Sequence, residues 1–577
     1  MAFLRNLLAT LVGLFIFSIA GFFIFFAILV AASTDEVMKV KDNSVLYFNM
    51  SGVLADKAVD DPFFEALSNG PIQHSLLDII AGIKKAKTDS RIRGLYIEPL
   101  YLATGYASLQ EIRDAILDFK ESGKFVYAYG EYLSESDYYV ASVADSIFVN
   151  PTGAIEFNGL SANVTFYKGL FDKLDIEPEV FRVGAFKSFV EPYVRKDMSG
   201  ENRLQYSSLL ISMYDTYLEN VSESIGKSVD ELNEISNLMK VRLPRDAKDL
   251  GLIHKVGYED ELKTVMKVRL GLADNGKIPF INMRDYGQVV ANESAYSSNK
   301  VAVIVAQGDI VMGGDEGIVG ETFAKEIKRA REDNSVKAIV MRVNSGGGSM
   351  TASDMIWREL MLTKGKKPII ASMANAAASG GYYIAMPADK IIAQPNTITG
   401  SIGIFGLWLN LTGFLENKIG ITHDVVKTGE YSDIYTVTRK LNSYERQIIQ
   451  GTVEEGYETF TKKVAENRGM SQDDVKTIAE GRVWSGEQAL ENGLVDQLGS
   501  FNDAVSIAVE MADIAGDYRL VYYPEQKPFL EEFIDRMSTT VQTKIFSSPV
   551  DPILNQIDRL KNLQGIQARM GGDLEVR

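Results

Sequence analysis

Cysteine is absent from the 577 residues of this chain. That absence excludes disulfides, cysteine nucleophiles and thiolate zinc sites in one step. Histidine is almost as scarce, since only His74, His254 and His423 occur, and no two of them have a metal-ligand spacing. A hydrolase that depended on histidine would need one of these three beside its nucleophile.

An excess of positive charge is also missing. The formal net charge is −17, and no basic stripe stands out in the sequence. Both observations argue against a nucleic-acid partner and are typical of a soluble acidic surface. The apolar content of 46% and the charged content of 24% are ordinary for a globular protein. The length allows two to four domains.

One long stretch near the N-terminus lacks charge altogether, from Leu7 to Ala32. A membrane-spanning helix needs about 20 apolar residues, whereas the apolar part of a cleaved signal peptide has only about 7–15. The run therefore predicts an uncleaved transmembrane anchor. Arg5 before it, with Asp35 and Glu36 after it, favours a cytoplasmic N-terminus. No later stretch is apolar enough to return the chain across the membrane.

The chain repeats itself. Residues Gly123–Asp145 and Gly365–Asp389 are visibly similar, and aligning Tyr138 with Tyr382 gives an offset of 244. The same offset superimposes two short apolar runs, 94–97 and 338–341, of the kind expected for buried strands. A self-similarity of this length indicates an internal duplication.

The duplication predicts an α/β fold of two tandem repeats, because short strand-like runs alternate with helical patterns. Charged and amphipathic residues near the C-terminus suggest a loosely attached helical tail. The predicted organisation is a cytoplasmic N-terminus (1–6), an anchor (7–32), a first repeat (43–275), a polar linker (276–300), a second repeat (301–522) and a tail (523–577).

The first motif surrounds Ser379, in the sequence Ala-Ala-Ala-Ser-Gly-Gly-Tyr-Tyr of residues 376–383. Small neighbours let a substrate carbonyl come close, and backbone N–H groups beyond the serine can face a developing oxyanion. Taken alone, the motif favours a tight turn or close helix packing over a nucleophile.

The second motif is a glycine run, 346–348, directly after an apolar strand. Successive glycines leave backbone amides exposed and free to adopt positive φ, so such a loop can hold a phosphate or an oxyanion. The Gly-Lys-Ser/Thr ending of a nucleotide-binding loop is missing. An oxyanion loop and a simple flexible turn both remain open.

The third motif places Lys187 among aromatic and apolar residues in 183–192. Burial lowers the pKa of a lysine, and a neutral amine can act as a general base. The alternative is a lysine whose amine reaches solvent from an apolar surface.

The fourth motif, 399–406, contains Ser401 between glycines. Its hydroxyl could orient a neighbouring amine, or the segment could simply be a strand with close backbone contacts.

Together and in this order, the four motifs resemble the signal peptide peptidase A (protease IV) family of the bacterial envelope, in its long, duplicated form. The family uses a serine–lysine dyad on a fold shared with ClpP and crotonase. The resemblance therefore implies two tandem ClpP/crotonase-like repeats after an N-terminal transmembrane helix. One position departs from the family pattern. Gly346 stands where proline is usual, which is expected to loosen the turn.

The resemblance assigns roles to individual residues. Ser379 matches the nucleophile, Lys187 the general base, and Ser401 the serine that orients the lysine. The backbone amides of Gly380 and Gly347 match the oxyanion hole. Such a dyad needs neither a metal nor a cofactor.

The same resemblance implies a location and partners. Apolar, already released signal peptides are the expected substrates, cleaved through an acyl-enzyme. A single-pass protein of the inner membrane with a periplasmic catalytic domain is expected, assembled as a homo-tetramer. Two alternatives remain open, namely an acyl-CoA enzyme of the crotonase type and a catalytically idle membrane scaffold.

The repeat alignment adds an inference of its own. At the offset of 244, Ser379 falls on Glu135, and at the local offset of 245, Lys187 falls on Ser432. Each repeat thus lacks what the other has. The sequence predicts one composite site per chain, although it does not decide whether Lys187 reaches Ser379 of its own chain or of a neighbour.

Overall fold

The computed structural model describes residues 2–33, 39–58, 73–292, 297–314, 317–524 and 565–570. The first of these ranges forms one helix, α1 (Ala2–Ser33), on which the predicted anchor falls. Among the helices in these ranges, none meets the combined length and apolarity required for a membrane crossing. Most of the predicted tail lies outside the described residues.

The first repeat is built on a parallel sheet with the strand order β2-β1-β3-β4-β5-β7, and β8 pairs with β1. Its strands, with one further strand outside that sheet, are β1 (Ser44–Ala55), β2 (Gln73–Ser75), β3 (Ile92–Ala103), β4 (Phe125–Leu133), β5 (Ser146–Ile155), β6 (Glu177–Arg182), β7 (Lys255–Val256) and β8 (Phe280–Asn282). Its helices are α2 (Leu76–Thr88), α3 (Tyr106–Lys120), α4 (Glu135–Ala141), α5 (Lys168–Leu174), α6 (Glu191–Val194), α7 (Gly200–Ile225), α8 (Val229–Asn237), α9 (Pro244–Asp249), α10 (Glu259–Leu270) and α11 (Met283–Asn292).

The second repeat carries a largely parallel sheet with the order β18-β16-β14-β12-β9-β20, in which β15 joins β14 to β19. The remaining strands of the chain are β9 (Lys300–Gln307), β10 (Ile310–Val311), β11 (Ile318–Val319), β12 (Val336–Ser345), β13 (Gly347–Ser349), β14 (Ile369–Ala378), β15 (Lys390–Ala393), β16 (Ile398–Gly400), β17 (Phe405–Asn410), β18 (Val483–Ser485), β19 (Gln497–Leu498), β20 (Arg519–Tyr523) and β21 (Gly565–Arg569). The helices are α12 (Gly320–Glu332), α13 (Met350–Thr363), α14 (Gly380–Ala385), α15 (Ser443–Arg468), α16 (Gln472–Ile478), α17 (Gly486–Glu491) and α18 (Phe501–Met511).

The two sheets share one topology. The order β1-β3-β4-β5-β7 of the first repeat matches β9-β12-β14-β15-β19 of the second. A buried tyrosine marks the same place in each repeat. The hydroxyl of Tyr138 donates to the carbonyl of Leu252 at 2.8 Å, and that of Tyr382 donates to the carbonyl of Leu494 at 3.0 Å. The duplicated α/β architecture expected from the sequence is therefore present.

Local sequence signals explain where the longest helices of the repeats begin and end. The Ser199 hydroxyl accepts the N–H of Asn202 at the start of α7, and Gly226, with φ 70°, ends that helix. In α15 the side chain of Asn442 accepts from Glu445, while Gly469 closes the other end with φ 66°. The polar N-caps satisfy N–H groups of the first turn, and the left-handed glycines end the last turn.

A third sheet joins the repeats, with the order β11-β10-β13-β21-β17-β6. In it, β6 of the first repeat runs antiparallel to β17 of the second, from the pair Glu177–Asn410 to the pair Arg182–Phe405. This pairing brings the chain that follows β6 against the chain that precedes β17. Of the expected helical tail, the structure describes 523–524 and 565–570, and 565–569 form not a helix but strand β21, paired on both sides.

A buried ion cluster also ties the repeats together. The fully buried guanidinium of Arg342, in β12, lies 2.6 Å from Asp56 and 2.7 Å from Glu111, both of the first repeat. Asn344 donates to the second oxygen of Asp56 at 2.7 Å. Charges this deep require partners, because an unpaired buried ion is strongly unfavourable. The cluster therefore fixes the strand that leads into the glycine run.

Candidate active site

Ser379 sits on the sharp turn between β14 and α14. Its backbone has φ 55° and ψ −114°, a region that residues with a side chain rarely adopt. Two hydrogen bonds hold the turn, since its N–H donates to Gly400 and its carbonyl accepts from Tyr383. The side chain is fully buried in the structure. Strain of this kind is typical of a turn that presents one side chain to a site.

The glycines after Ser379 are sterically required. A methyl group on Gly380 would lie 2.8 Å from the Ser353 hydroxyl, and one on Gly381 would lie 2.4 Å from the carbonyl oxygen of Ser345. Both distances are shorter than real side chains tolerate. The Ser-Gly-Gly sequence thus serves close packing, and it also leaves backbone N–H groups at the first turn of α14.

Lys187 follows β6 and reaches the same point from the first repeat. Its Nζ lies 2.8 Å from the Ser379 hydroxyl, 2.9 Å from the Ser401 carbonyl oxygen and 3.1 Å from the Ser401 hydroxyl. Only 1% of the lysine is exposed. The three side chains predicted as a unit therefore meet, and they do so within one chain.

Burial alone lowers the pKa of Lys187 well below its ordinary value. A neutral amine carries two hydrogens and one lone pair. The carbonyl and hydroxyl oxygens of Ser401 can accept the two hydrogens, which leaves the lone pair for the Ser379 O–H. This arrangement is what proton abstraction from Ser379 requires.

Two glycines that the motif analysis did not select line the walls around Lys187. A methyl group on Gly481 would lie 2.6 Å from Lys187 Cβ, and one on Gly403 would lie 3.2 Å from its Cδ. The carbonyl of Arg482 accepts the N–H of Ser401 at 2.7 Å. These two glycines pack against the aliphatic part of the lysine side chain. The only sequence signal that could have identified them is the general preference of turns for glycine.

The structure brings the two predicted oxyanion residues together. Gly347 has φ 101°, and a methyl group there would lie 2.6 Å from the backbone nitrogen of Gly380. The N–H of Gly347 donates to the Ser345 hydroxyl at 3.1 Å. The N–H of Gly380 donates to no acceptor in the part of the chain that the structure describes. Gly346 does not adopt positive φ, and a methyl group there would meet only Met570, at 3.7 Å.

Strand β21 lies directly across this site, between the glycine run and the strand after Ser401. It pairs antiparallel with β13, where Gly348 opposes Ala568, and antiparallel with β17, where Gly406 opposes Ile566. Ala568 is fully buried. The site is therefore crossed by an extended piece of polypeptide held on both sides by backbone pairing.

A small cavity of about 10 Å³ adjoins the lysine. Its lining includes Lys187 and Ser401, apolar side chains of Leu209 and Ile398, and Met570, which follows β21. Space of that size holds about one water molecule, so the lining side chains nearly fill the pocket.

The counterpart positions in the other repeat lack this chemistry. Glu135, aligned with Ser379, is buried and accepts the N–H groups of Asn158 and Gly159 at 3.1 Å. Ser432, aligned with Lys187, is exposed in a turn. The burial of Glu135 raises its pKa, partly offset by those N–H donors. Glu135 therefore cannot replace Ser379 as a nucleophile, and Ser432 cannot replace Lys187 as a base.

Comparison with known proteins agrees with the geometry. A family model described as "Peptidase family S49" matches residues 118–273 and 361–515, one match in each repeat. The chain belongs to peptidase family S49. It is therefore a serine-type peptidase, as the four motifs predicted.

Individual S49 relatives match over most of their length. Protease 4 of Salmonella typhi is 35% identical over 551 residues, covering 90% of this chain and 88% of that protein. "Serine protease SPPA, chloroplastic" of Arabidopsis thaliana is 32% identical over 546 residues, covering 92% and 78%. "Putative signal peptide peptidase SppA" of Enterococcus faecium is 36% identical over 244 residues, covering 40% and 71%.

One solved structure, a ClpP1 mutant from Listeria monocytogenes, aligns with 35% of this chain and 94% of its own. The identity is 17% and the TM-score is 0.25.

Proposed function

We propose that this S49 peptidase is a membrane-anchored endopeptidase that uses Ser379 as nucleophile and Lys187 as general base to degrade released signal peptides. The observation that carries the proposal is the 2.8 Å separation of Lys187 Nζ and Ser379 Oγ at a buried site. A buried neutral amine is a base, and it can take the proton of a hydroxyl group at hydrogen-bond distance.

The reaction begins when Lys187 takes the Ser379 proton as the serine oxygen attacks a peptide carbonyl. The backbone N–H of Gly380 stabilises the oxyanion, and that of Gly347 joins it on leaving the Ser345 hydroxyl. One such donor contributes about 3 kcal/mol to the transition state. The protonated lysine then gives its proton to the leaving amine. Water, activated by the neutral lysine, hydrolyses the acyl-enzyme. Ser401 keeps the amine directed at Ser379 throughout.

The substrate is an extended, apolar peptide. Support comes from β21, which shows that the space between β13 and β17 accepts a strand with backbone pairing on both sides. The apolar lining beside Lys187 suits the side chains of signal peptides. The name of the Enterococcus faecium relative points to the same substrate class.

The location follows from the N-terminal run. Residues 7–32 contain no charged side chain, which supports an anchor in the inner membrane. Arg5 before the run and acidic residues after it favour a cytoplasmic N-terminus and a catalytic part on the periplasmic side. Each repeat of this proposed protein would be a ClpP/crotonase-like unit, consistent with its parallel sheet and its crossing helices.

Assembly into a homo-tetramer is part of the proposal, and the repeats indicate a surface for it. Inside the chain, β6 pairs with β17. In the alignment of the two repeats, β6 corresponds to residues 422–427. Their side chains are exposed, and Val426 is 98% exposed. In the same alignment, β17 corresponds to residues 161–166, where exposed and half-buried residues alternate as on an edge strand.

If the internal pairing is repeated between copies, 422–427 of one copy runs antiparallel to 161–166 of the next. Transferring the register sets Val425 opposite Asn163 and Val426 opposite Ala162. Such a head-to-tail contact closes a ring when its rotation permits. Each contact between copies would place Ser432 near the Glu135 position, so these junctions would be inactive.

The test of the catalytic proposal is a fluorogenic-peptide assay on the full chain in detergent. The wild type is expected to cleave apolar peptides and to be labelled by a serine-directed acylating inhibitor at Ser379. A wild type that cleaves peptides without labelling at Ser379, or one that is inert toward every peptide tried, would refute the assignment.

A further inference from the structure

The side chain of Asn344, at the end of β12, connects three parts of the site. Its Nδ2 donates to the carboxylate of Asp56 in the first repeat at 2.7 Å. Its Oδ1 accepts the backbone N–H of Ala376 at 3.3 Å, in the strand that leads to Ser379. We propose that Asn344 is a positioning residue of the peptidase, which holds the glycine run and the nucleophile strand β14 in register with the repeat that supplies the base. This inference rests on the proposed function, because it concerns the same nucleophile and base.

The end of this connection in the first repeat is a fixed point. Asp56 is buried, and its carboxylate lies 2.6 Å from the guanidinium of Arg342. Its backbone N–H donates to the Gln307 side chain at 2.9 Å, and its carbonyl accepts the N–H of Leu77 at 3.1 Å. A buried carboxylate with this many partners resists displacement, because any movement weakens several buried hydrogen bonds at once.

The other end of the connection meets a bulge in the nucleophile strand. The register of β12 against β14 breaks at this point, and residues 374–376 face the single residue Asn344. A bulge interrupts backbone pairing and changes the direction of the strand beyond it. The Asn344 side chain supplies an acceptor for the N–H of Ala376 where regular pairing is lost. It therefore fixes the direction in which β14 enters the strained turn of Ser379.

The repeat without the nucleophile lacks this connection. At the offset of 244, Asn344 falls on Leu100, which is 48% exposed. A leucine side chain can neither donate to a carboxylate nor accept a backbone N–H. The asparagine is therefore a feature of the repeat that carries the nucleophile and is not a requirement of the shared fold.

The geometry of the dyad makes this connection important for the rate. Lys187 comes from the first repeat and lies 2.8 Å from the hydroxyl of Ser379 in the second. A displacement of about 1 Å between reacting groups can lower a rate by about 10²-fold. Asn344 contacts neither of these two groups, so it acts only by keeping their strands in place. Its loss should lower kcat and kcat/KM together, as expected when only the transition state is affected.

Exchanging the two partners tests the proposal with a fluorogenic peptide, at a temperature where every variant is folded. Asn344→Asp sets two carboxylates against each other, and Asp56→Asn sets two amides against each other. Each variant is expected to lower kcat by about 10²-fold. The double variant restores the hydrogen bond with its polarity reversed and keeps the net charge beside Arg342. Its kcat is expected to return to within about threefold of the wild type, because the two changes compensate each other.

Gln307→Ala is the matched control, because it removes a different hydrogen bond between the repeats, the one from the Asp56 N–H. It should lower the melting temperature and leave kcat unchanged. If Asn344→Asp yields no folded protein, Asn344→Ala removes both hydrogen bonds without adding a charge and should show the same loss of kcat. Wild-type kcat in the Asn344 variants, or a double variant as slow as the single ones, would overturn the proposal. An equal loss of kcat in Gln307→Ala would also overturn it.

These outcomes are separable from the test of the proposed function. A wild type that is not labelled at Ser379 refutes the dyad. A wild type that is labelled there and cleaves peptides, but whose kcat does not respond to the exchange, overturns only the role of Asn344.

Discussion

Lys187 Nζ lies 2.8 Å from Ser379 Oγ although 192 positions separate the two residues along the chain. The lysine comes from the first repeat and the serine from the second, and the antiparallel pairing of β6 with β17 brings them together. Neither repeat contains both groups. The proposed catalytic pair therefore lies at the junction between the repeats.

Ser379→Ala and Lys187→Met are each expected to lower kcat toward peptides by about 10⁶-fold, because nucleophile and base act as one unit. The kcat of the double variant should be no lower than that of either single variant.

Ser401→Ala should keep more activity than either of these variants, since the Ser401 carbonyl still accepts from the amine. Ser432→Ala, at the aligned position of the lysine, is the control and should match the wild type. Equal activity of Lys187→Met and wild type would contradict the dyad.

The pH profile follows from the lowered pKa of Lys187. Below that pKa the amine is protonated and cannot take the serine proton, so kcat/KM should rise with pH as the amine loses its proton. The measurement is kcat/KM against pH with a neutral peptide. A profile that stays flat across the acidic and neutral range would show that no such base operates.

Stability should respond to the same group with a defined sign. The pKa of Lys187 is lowered in the folded state, so the unfolded chain binds more protons between the folded value and the ordinary 10.5. The free energy of unfolding therefore rises with pH across that window. Lys187→Met removes this dependence and should unfold at a higher temperature than the wild type at neutral pH. A lower melting temperature for Lys187→Met would mean that the buried amine is stabilising.

Gly347→Ala should lower activity by about 10²-fold or more, because the new methyl would lie 2.6 Å from the Gly380 nitrogen at the proposed oxyanion site. Gly346→Ala is a close control, since its methyl would meet only Met570 at an ordinary distance. Each variant loses one glycine of the loop, but only Gly347→Ala introduces a steric clash. Comparing their kcat values therefore separates the effect of loop geometry from the loss of a glycine. Similar losses in both variants would argue against a specific role for Gly347.

Asp56→Ala should destabilise the contact between the repeats by about 3–5 kcal/mol, because it leaves the buried Arg342 with one carboxylate fewer. Thermal unfolding should show a lower midpoint and a loss of activity at temperatures the wild type tolerates. Glu321→Ala breaks only the exposed pair with Lys325 and serves as the control. An unchanged midpoint for Asp56→Ala would show that the cluster contributes little.

The proposed contact between copies can be tested by cross-linking because the chain has no cysteine of its own. A chain carrying both Val425→Cys and Asn163→Cys should form a ladder of disulfide-linked species on a non-reducing gel. Val425→Cys with Phe166→Cys is out of register and is the control. A ladder from the control but not from the first pair would refute the register. Peptidase activity, measured in parallel, reports the dyad separately.

Much of the fold could be predicted from the sequence because the two repeats of the chain can be aligned with each other. The offset between Tyr138 and Tyr382 identified the duplication, and the structure places their hydroxyls on the equivalent carbonyls of Leu252 and Leu494. The tail could not be read in this way. Its charged, amphipathic character suggested a helix, whereas 565–569 form strand β21, since partners on both sides supply pairing that local propensity does not reveal.

The sequence by itself determined which chemistry is available: no thiol, little histidine, and a serine and a lysine at mutually vacant positions of a duplication. Residue types and an internal alignment are enough for that, because they are local properties of the chain. Only the tertiary structure decided that Lys187 reaches Ser379 of its own chain, that Gly481 and Gly403 enclose its stem, and that Ala568 lies against Gly347. Those contacts depend on strand pairing between distant segments, whose partners no local pattern specifies.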